Sequence, residues 1–527
     1  MAVTSQQAVG PSAEGRANRQ SAWLGPRSSL PATCLKLAVL AIMLVMIVAL
    51  LRFPLRRINA AQEINYNEGW NAYKQTLARS GMPLYGAPPD ALTGATTYPP
   101  ISFHWIGWLA HGGDVVKTGR WLSLLALAAT GMVVGLIVAE LGGDAVAGVF
   151  SGLLYVLGIV IFLPDRLGMN DPQLLGEALT AAGLYCYVKT LTPSRQQPTQ
   201  GGPRARDGLR LLCASALLFC LAGFTKQNLL AFPAAAGVDL LLRSRRRFAV
   251  WCGAMLICAA ALTGLTLAID GKYFVQHLLF QRTYSFDDAL ISLTQSYLVT
   301  FQGIVLVAIV WILCRFRTNP LLTAAFVCAN ALAFALSGGD GVDLNIYFNA
   351  FAAGVIICGI AVVDFEGGQA VGRSSSGMKA AALMTALLVC VSIGLPDRLD
   401  ADRAQAELLA HDDAEFQAAV ALVRVTPGPA ICEDLLLCYS AGKPYLVDLF
   451  VSGDQLELGA LDNDAIPGML RSRKFGAIEL DVLPEEASAS APLVRKRPRF
   501  SEKSMDALLQ NYNLALRTAQ MLVFVAK

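Results

Sequence analysis

The chain has 527 residues, of which 55% are hydrophobic and only 15% charged, with a formal net charge of +3. A soluble protein of this size carries about a quarter of its residues as Asp, Glu, Lys and Arg, so much of this surface faces lipid rather than water. The small net charge and the lack of a basic stripe interleaved with aromatics exclude a nucleic-acid partner. Residues 1–34 open the chain as a polar tail rich in Ser, Gly, Pro and Gln, expected to be disordered and cytoplasmic. The apolar run Leu37–Leu51 has the length of a secretory h-region, but it lies far from the N-terminus and no A-x-A site follows, so it reads as an uncleaved first span.

Runs near 35–52, 120–140, 145–163, 172–189, 209–225, 228–243, 248–269, 297–314, 320–337, 346–364 and 379–395 predict about eleven transmembrane helices. The fold class expected is therefore mostly α: a polytopic membrane helix bundle over 35–395 with a C-terminal α/β domain over 396–527. Lys and Arg in the short loops orient it. With the N-terminus inside, the cytoplasmic side receives Arg16, Arg19, Arg27, Lys36, the basic loop 189–210, RSRRR (243–247), CRFR (314–317) and the stretch with Arg373 and Lys379. The outer side receives mostly acidic loops. The first outer loop, 53–119, is the exception, since it starts with Arg52, Arg56 and Arg57.

That loop is long, and long loops in compact proteins are usually functional. NEGWNAYKQTLARSG and ISFHWIGWLAHGG within it predict two short helices lying in the membrane interface, where Trp and Tyr rings suit both phases. Past 395 the composition turns charged. PAICEDLLLCY, FGAIELDVL and MLVFVAK read as strands, and MDALLQNYNLALRTA as a helix, with EEASASAP as low-complexity linker. The twelve Cys sit mostly in apolar runs without zinc spacing. Cys432 and Cys438 are six apart, a spacing that needs a turn before they pair; they are left unassigned.

Several stretches, taken in order, resemble the GT-C class of polytopic membrane glycosyltransferases, in its bacterial form that uses polyprenyl-phosphate sugars. They are NEGWNAY, SGMPLYG and TTYPPISFHW in the first loop, NDPQLLGEALTAAGLY (170–185), AGFTKQNLLAFPAA (222–235) and GVDLNIYFNAF (341–351). The resemblance covers about 50–365 and implies a multi-pass protein of the bacterial plasma (inner) membrane, its C-terminal domain periplasmic or extracellular. It also implies inverting transfer of a hexosyl or pentosyl group from a polyprenyl-phosphate donor to a glycan, lipid or protein acceptor on the outer face. No cofactor is assigned; a divalent metal stays open, because members of the class differ.

The chemistry asks for few groups. A carboxylate within hydrogen-bond reach takes the acceptor's proton, and the leaving phosphate needs cations or hydrogen bonds rather than a proton. The class's acid after the first span falls on Glu68, the expected base. Asp171 is the second acid, set to orient the acceptor or a cation. Lys226, in a turn between two spans, is expected to hold phosphate as a point charge, with Gln227 beside it and Arg282, Arg56 and Arg57 as weaker candidates. Trp70, Tyr73 and Tyr98 are expected to seat the loop at the headgroups or stack on sugar, and Asn345 and Tyr347 to line the site.

Plainer roles compete with each assignment. Glu68 is also a favourable first-turn acid, Asp171 before Pro172 also reads as a helix cap, and Lys226 as a snorkelling side chain. His104 and His111 share a helical face that packs more readily than it binds metal. His277 and Asp270 are too isolated to suggest zinc. A transporter or lipid flippase is the alternative function. It would place charges or broken helices inside the spans, whereas here charges gather at span ends. A membrane-anchored binding module would leave the first loop unexplained.

Overall fold

The computed structural model describes residues 29–191, 203–367, 373–488 and 490–527. The expected tail up to residue 28, the middle of the 189–210 loop and part of EEASASAP lie outside the described residues. Uncharged apolar runs fold as helix because lipid offers no partner to an open backbone N–H or C=O. α1 (Leu30–Leu50) runs into α2 (Arg52–Arg57), and the first outer loop then holds α3 (Asn67–Arg79) and α4 (Ile101–Leu109). Next come α5 (Val115–Gly142), α6 (Ala145–Phe162), α7 (Gln173–Lys189), α8 (Pro203–Gly223), α9 (Ala231–Arg243) and α10 (Arg245–Ile269). Short α11 (Phe274–Leu278), α12 (Phe286–Ile291) and α13 (Leu298–Thr300) lead to α14 (Gln302–Arg315), α15 (Pro320–Leu336), α16 (Phe348–Gly367) and α17 (Arg373–Ser392).

All eleven predicted runs are helical, but the count of spans is smaller by length and composition. Five stretches among the described residues suffice alone: Leu30–Arg57, Val115–Gly142, Ala145–Phe162, Arg245–Ile269 and Leu344–Glu366. Two bent pairs, Phe286–Thr300 with Gln302–Arg315 at 93° and Ser376–Ser392 with Leu395–Val425 at 41°, raise this to seven. α9 has 13 residues, and α7 and α15 have 17 each, short of the roughly 20 that a bilayer core requires. Small residues close the tightest helix pair. A Cβ on Gly135 or Gly148 would stand 2.7 Å from the other's carbonyl oxygen, so α5 and α6 meet backbone to backbone.

The two amphipathic stretches of the first loop are the helices α3 and α4. They pack on each other at Gly107, whose added Cβ would lie 2.9 Å from the Gln75 carbonyl. Trp105 and Trp108 on α4 stay exposed, as an interfacial helix requires.

α18 (Leu395–Val425) leads into the C-terminal domain: β1 (Ala430–Cys432), α19 (Leu435–Ser440), α20 (Leu449–Glu457), α21 (Ala465–Arg471), β2 (Ala477–Asp481), α22 (Glu502–Asn511), β3 (Tyr512–Arg517) and β4 (Met521–Ala526). The sheet runs β1-β2-β4-β3, with β1 parallel to β2 and the other pairs antiparallel.

Two sequence expectations change here. The helix read through MDALLQNYNLALRTA stops at Asn511, and Tyr512–Arg517 pairs with β4 as strand, Leu514 opposite Phe524. The strand read through PAICEDLLLCY is only three residues long, because Asp434 accepts from the Leu437 amide and caps α19. That turn supplies the geometry the spacing alone lacked. Cys432 and Cys438 are joined as a disulfide, their Cα atoms 5.8 Å apart.

Candidate functional site

Glu68 sits on the face of α3 that also carries Asn71 and Gln75, at helical spacing. Its carboxylate is fully buried and takes four hydrogen bonds. Arg120 Nε gives 2.9 Å to Oε1 and Nη2 gives 2.6 Å to Oε2, while the amides of Asn170 and Ile64 each give 2.7 Å. Arg120, also buried, spends its remaining donors on the carbonyls of Ile58, Ala60 and Gln62. Asn71 donates to the Asn170 carbonyl at 2.8 Å, and Gln75 exchanges two bonds with the Asn170 side chain. The expectation of Glu68 as base is therefore corrected. Every lone-pair direction is occupied and no surface is open, so the residue locks the first loop to α5 and to the segment before α7.

A second, incompletely bonded polar cluster lies one step away. Asp171 Oδ1 accepts from Lys226 Nζ at 3.3 Å and from the Gln173 amide at 2.8 Å, while its buried Oδ2 has no hydrogen-bond partner. The bond from the Gln173 amide closes a turn just ahead of α7, whose cap position itself falls on Pro172, and the pairing with Lys226 is a contact the sequence did not announce. Lys226 Nζ also stands 4.8 Å over the Tyr98 ring, and Trp70 meets that ring edge-on at 5.2 Å. Burial pushes the Lys226 ammonium toward neutrality, but Asp171 and Tyr98 outweigh it and hold its pKa above the usual lysine value. Gln227 donates to the Thr97 carbonyl at 2.9 Å and so ties the Lys226 turn to the first loop.

Beyond Tyr98 opens a cavity of about 160 Å³ lined by Tyr66, Trp70, Tyr98, Arg282, Asp343, Asp448, Phe450 and Arg499. A small cleft holding Arg166, Asp171 and Asn345 adjoins it, linked through the Arg166–Asp343 ion pair. Asp171, Lys226, Gln227, Trp70, Tyr98, Arg282 and Asn345 are thus brought together.

Besides Glu68, two predicted site residues are not. Tyr73 donates to the Lys443 carbonyl at 2.8 Å and packs on Tyr439 and Tyr445, so it holds the C-terminal domain rather than a sugar or the headgroup layer. Tyr347 is buried and stacked on Tyr297 at 4.4 Å, inside the bundle core. Arg57 is likewise occupied, donating to the carbonyls of Pro164 and Leu167. His104 pairs with Asp270 and His111 turns to Trp108, so they share no ligand position.

The carboxylates of the site do not converge on a common point. Among the described residues the one His, Cys, Asp or Glu group with ligand atoms within 4.8 Å of one another is His411, Asp412 and Glu415 on α18.

The sequence reading missed Arg120, Arg166, Asp448 and Arg499. Arg120 was the findable one: it is an outer-side cation at the start of an apolar run, against the charge bias that singled out Lys226. Tyr66, Asp448 and Arg499 carry no such signal, because the tail's contribution to the cavity exists only after folding.

This chain shares its fold with solved structures of ArnT and of an archaeal oligosaccharyltransferase. It is similar to ArnT from Cupriavidus metallidurans in the apo state, with 13% identity and a TM-score of 0.58 over 94% of this chain and 98% of that one. ArnT bound to undecaprenyl phosphate matches at 15% identity and a TM-score of 0.56, over 93% and 97% of the two chains. The apo oligosaccharyltransferase of Archaeoglobus fulgidus matches at 12% identity and a TM-score of 0.52, over 85% of this chain and 69% of that one. No protein-family model and no curated protein matches the sequence. At these identities the likeness establishes the fold alone.

Proposed function

We propose that this protein is an inverting glycosyltransferase that moves a hexosyl or pentosyl group from a polyprenyl-phosphate donor to an acceptor hydroxyl on the outer face of the bacterial inner membrane. The observation that carries the reading is the Asp171–Lys226–Tyr98 cluster beside Trp70. It sits at the ends of α7, α8 and α9, and Tyr98 and Trp70 join it to a cavity walled on the other side by the C-terminal domain. The structural relatives support it: ArnT has been solved with undecaprenyl phosphate, and the Archaeoglobus fulgidus oligosaccharyltransferase AglB with dolichol phosphate and an inhibitory peptide.

In this reading the eleven helices all lie in the membrane, the N-terminus is cytoplasmic and the tail periplasmic. The unpartnered Oδ2 of Asp171 accepts the acceptor's proton as its oxygen attacks the anomeric carbon. The glycosyl–phosphate bond breaks on the opposite face, and Lys226, aided by Arg282, neutralises the departing phosphate. Trp70 and Tyr98 present aromatic edges and faces to the sugar. Glu68 shapes the loop and takes no proton.

The test is transfer of radiolabelled sugar from a panel of polyprenyl-phosphate sugars to membrane acceptors, at matched amounts of folded protein. Asp171→Asn is expected to lower the rate about 10²–10⁴-fold, the usual worth of a general base. Lys226→Ala should weaken donor use, and Gln227→Ala should change it little. Full transfer by Asp171→Asn would remove the base assignment, and no transfer from any donor by the unaltered chain would remove the function.

A further inference from the structure

We propose that the cavity between the first outer loop and the C-terminal domain is a subsite for an anionic group on the acceptor, a carboxylate or phosphate borne by a glycan, with Arg499 as the residue that reads it. The role of acceptor rests on the glycosyltransferase reading; the anion site rests on the cavity itself. Four charged side chains line it: Arg282, Asp343, Asp448 and Arg499. The two acids are spent. Asp343 pairs with Arg166. Asp448 accepts from the Tyr66 hydroxyl, from the Tyr445 hydroxyl at 2.7 Å and from the Val451 amide at 3.0 Å.

The two arginines are not spent. Among the described residues neither has a carboxylate within ion-pair distance; Asp481, the acid that feels Arg499, stays beyond it. Arg499 instead lies over Phe450, its guanidinium carbon 4.1 Å from the ring centre and 5.7 Å from that of Tyr66. Stacking uses the faces of the guanidinium plane and leaves its N–H edge free, a fork matched to a carboxylate or phosphate. Asp343 is balanced by Arg166, while Asp448, held by neutral donors, keeps its charge; the two unpaired cations outnumber that one acid in a partly enclosed space and leave a net positive field that favours an anion.

The donor phosphate is not the natural occupant of this end. Its isoprenoid chain ties it to headgroup level, where Lys226 stands between α8 and α9. Arg499 belongs to the C-terminal domain and lies against Phe450 and Tyr66, whereas Lys226 lies against Tyr98. The aromatic walls of Tyr66, Trp70 and Phe450 suit a sugar ring lying between the two cations. Backbone geometry shapes the wall as well. Gly94 and Gly341, both at φ 71°, approach α20 so closely that a Cβ would stand 2.8 Å from Val451 and 2.6 Å from Phe450. Both loops therefore close onto the α20 face that carries Phe450.

The experiment uses the full chain in phosphatidylcholine nanodiscs without donor, titrated calorimetrically with a glucuronate-bearing trisaccharide, the same trisaccharide carrying a 6-phosphate, and its neutral parent. The unaltered protein is expected to bind at least one acidic form about tenfold more tightly than the neutral one, a typical scale for a charge-assisted contact. Arg499→Ala should reduce that preference to none while keeping the neutral affinity, which also reports that the cavity is folded. Arg499→Lys should restore part of it, since charge returns but the fork does not. Lys226→Ala should leave the preference intact.

No preference in the unaltered protein, or one that survives Arg499→Ala, would overturn the proposal. So would a loss of polyprenyl-phosphate binding in Arg499→Ala, which would put the arginine on the donor side. Because binding is read without donor or turnover, failure of glycosyl transfer leaves this result standing, and the two readings fail separately.

Discussion

At the scale of single residues, the contrast between Glu68 and Asp171 shows why residue type and position leave a role open. Both are acids at the N-terminal ends of helices, and both are visible as candidates in the sequence. One is saturated by Arg120 and two backbone amides; the other keeps an oxygen unpartnered beside an ammonium. The partner that decides Glu68's fate lies 52 positions later, a distance at which no local pattern speaks. The pair also makes a prediction. Glu68→Gln or Arg120→Met alone leaves a buried uncompensated group and should cost about 3–5 kcal/mol. Replacing both with Leu should cost less than either single change. Thermal unfolding in detergent checks the order of the variants. Equal midpoints for all of them would show that the pair does not lock the loop.

Elements add what residues cannot. α3 seats on α19 at Gly69, where a Cβ would stand 2.2 Å from the Leu436 amide nitrogen and 2.4 Å from the Leu435 carbonyl carbon. Backbone cannot yield there as a flexible side chain would. Gly69→Ala should therefore lift α3 off α19 and cost about 1–3 kcal/mol, the range for overpacking. Faster proteolysis in the first loop, with the bundle itself intact, would report it. An unchanged digestion pattern would mean that α3 accommodates the methyl without leaving α19.

The helices of the first loop were legible because their apolar and aromatic spacing is local and strong. The strand Tyr512–Arg517 was not. Its alternation follows directly on an amphipathic helix, and the pairing with β4 that settles it is a tertiary contact. The number of spans is less legible for a related reason. Short helices such as α9 are apolar and buried among neighbours, yet fall short of the roughly 20 residues that a bilayer core requires.

On the scale of the whole molecule, the membrane bundle and the C-terminal domain meet across an acidic seam. Glu63 from the first loop faces Asp434, Asp481 and Glu68. Asp434 faces Glu63 and Glu68, and Asp481 faces Glu433 and Asp434 with Arg497 and Arg499 nearby. Burial, reinforced by neighbouring acids, raises Glu63 well above the carboxylate range. Burial lifts Asp434 to about 6, against hydrogen bonds that favour its anion, and lifts Asp481 to about 7 with help from Glu433.

The sign follows from these directions. A carboxyl whose folded pKa is raised contributes its full stability below the unfolded value near 3.9, and loses it as pH rises through the folded value. The unfolding midpoint of the C-terminal domain should therefore fall as pH is raised from about 4 to about 7. Asp434→Asn, protonated in effect at every pH, should flatten that fall. A midpoint that rises steadily over the same window, or a slope untouched by the substitution, would refute the assignment.

The wall that Gly94 and Gly341 press onto α20 has a consequence for how such proteins diversify. Asp171 and Lys226 sit on the bundle, between α7, α8 and α9, while Phe450 and Arg499 belong to a separate domain joined through the bent start of α18. The two halves of the cavity are thus encoded in different stretches of the gene. Substitution in the tail can therefore reshape the Phe450–Arg499 wall and leave the Asp171–Lys226 pair on the bundle untouched.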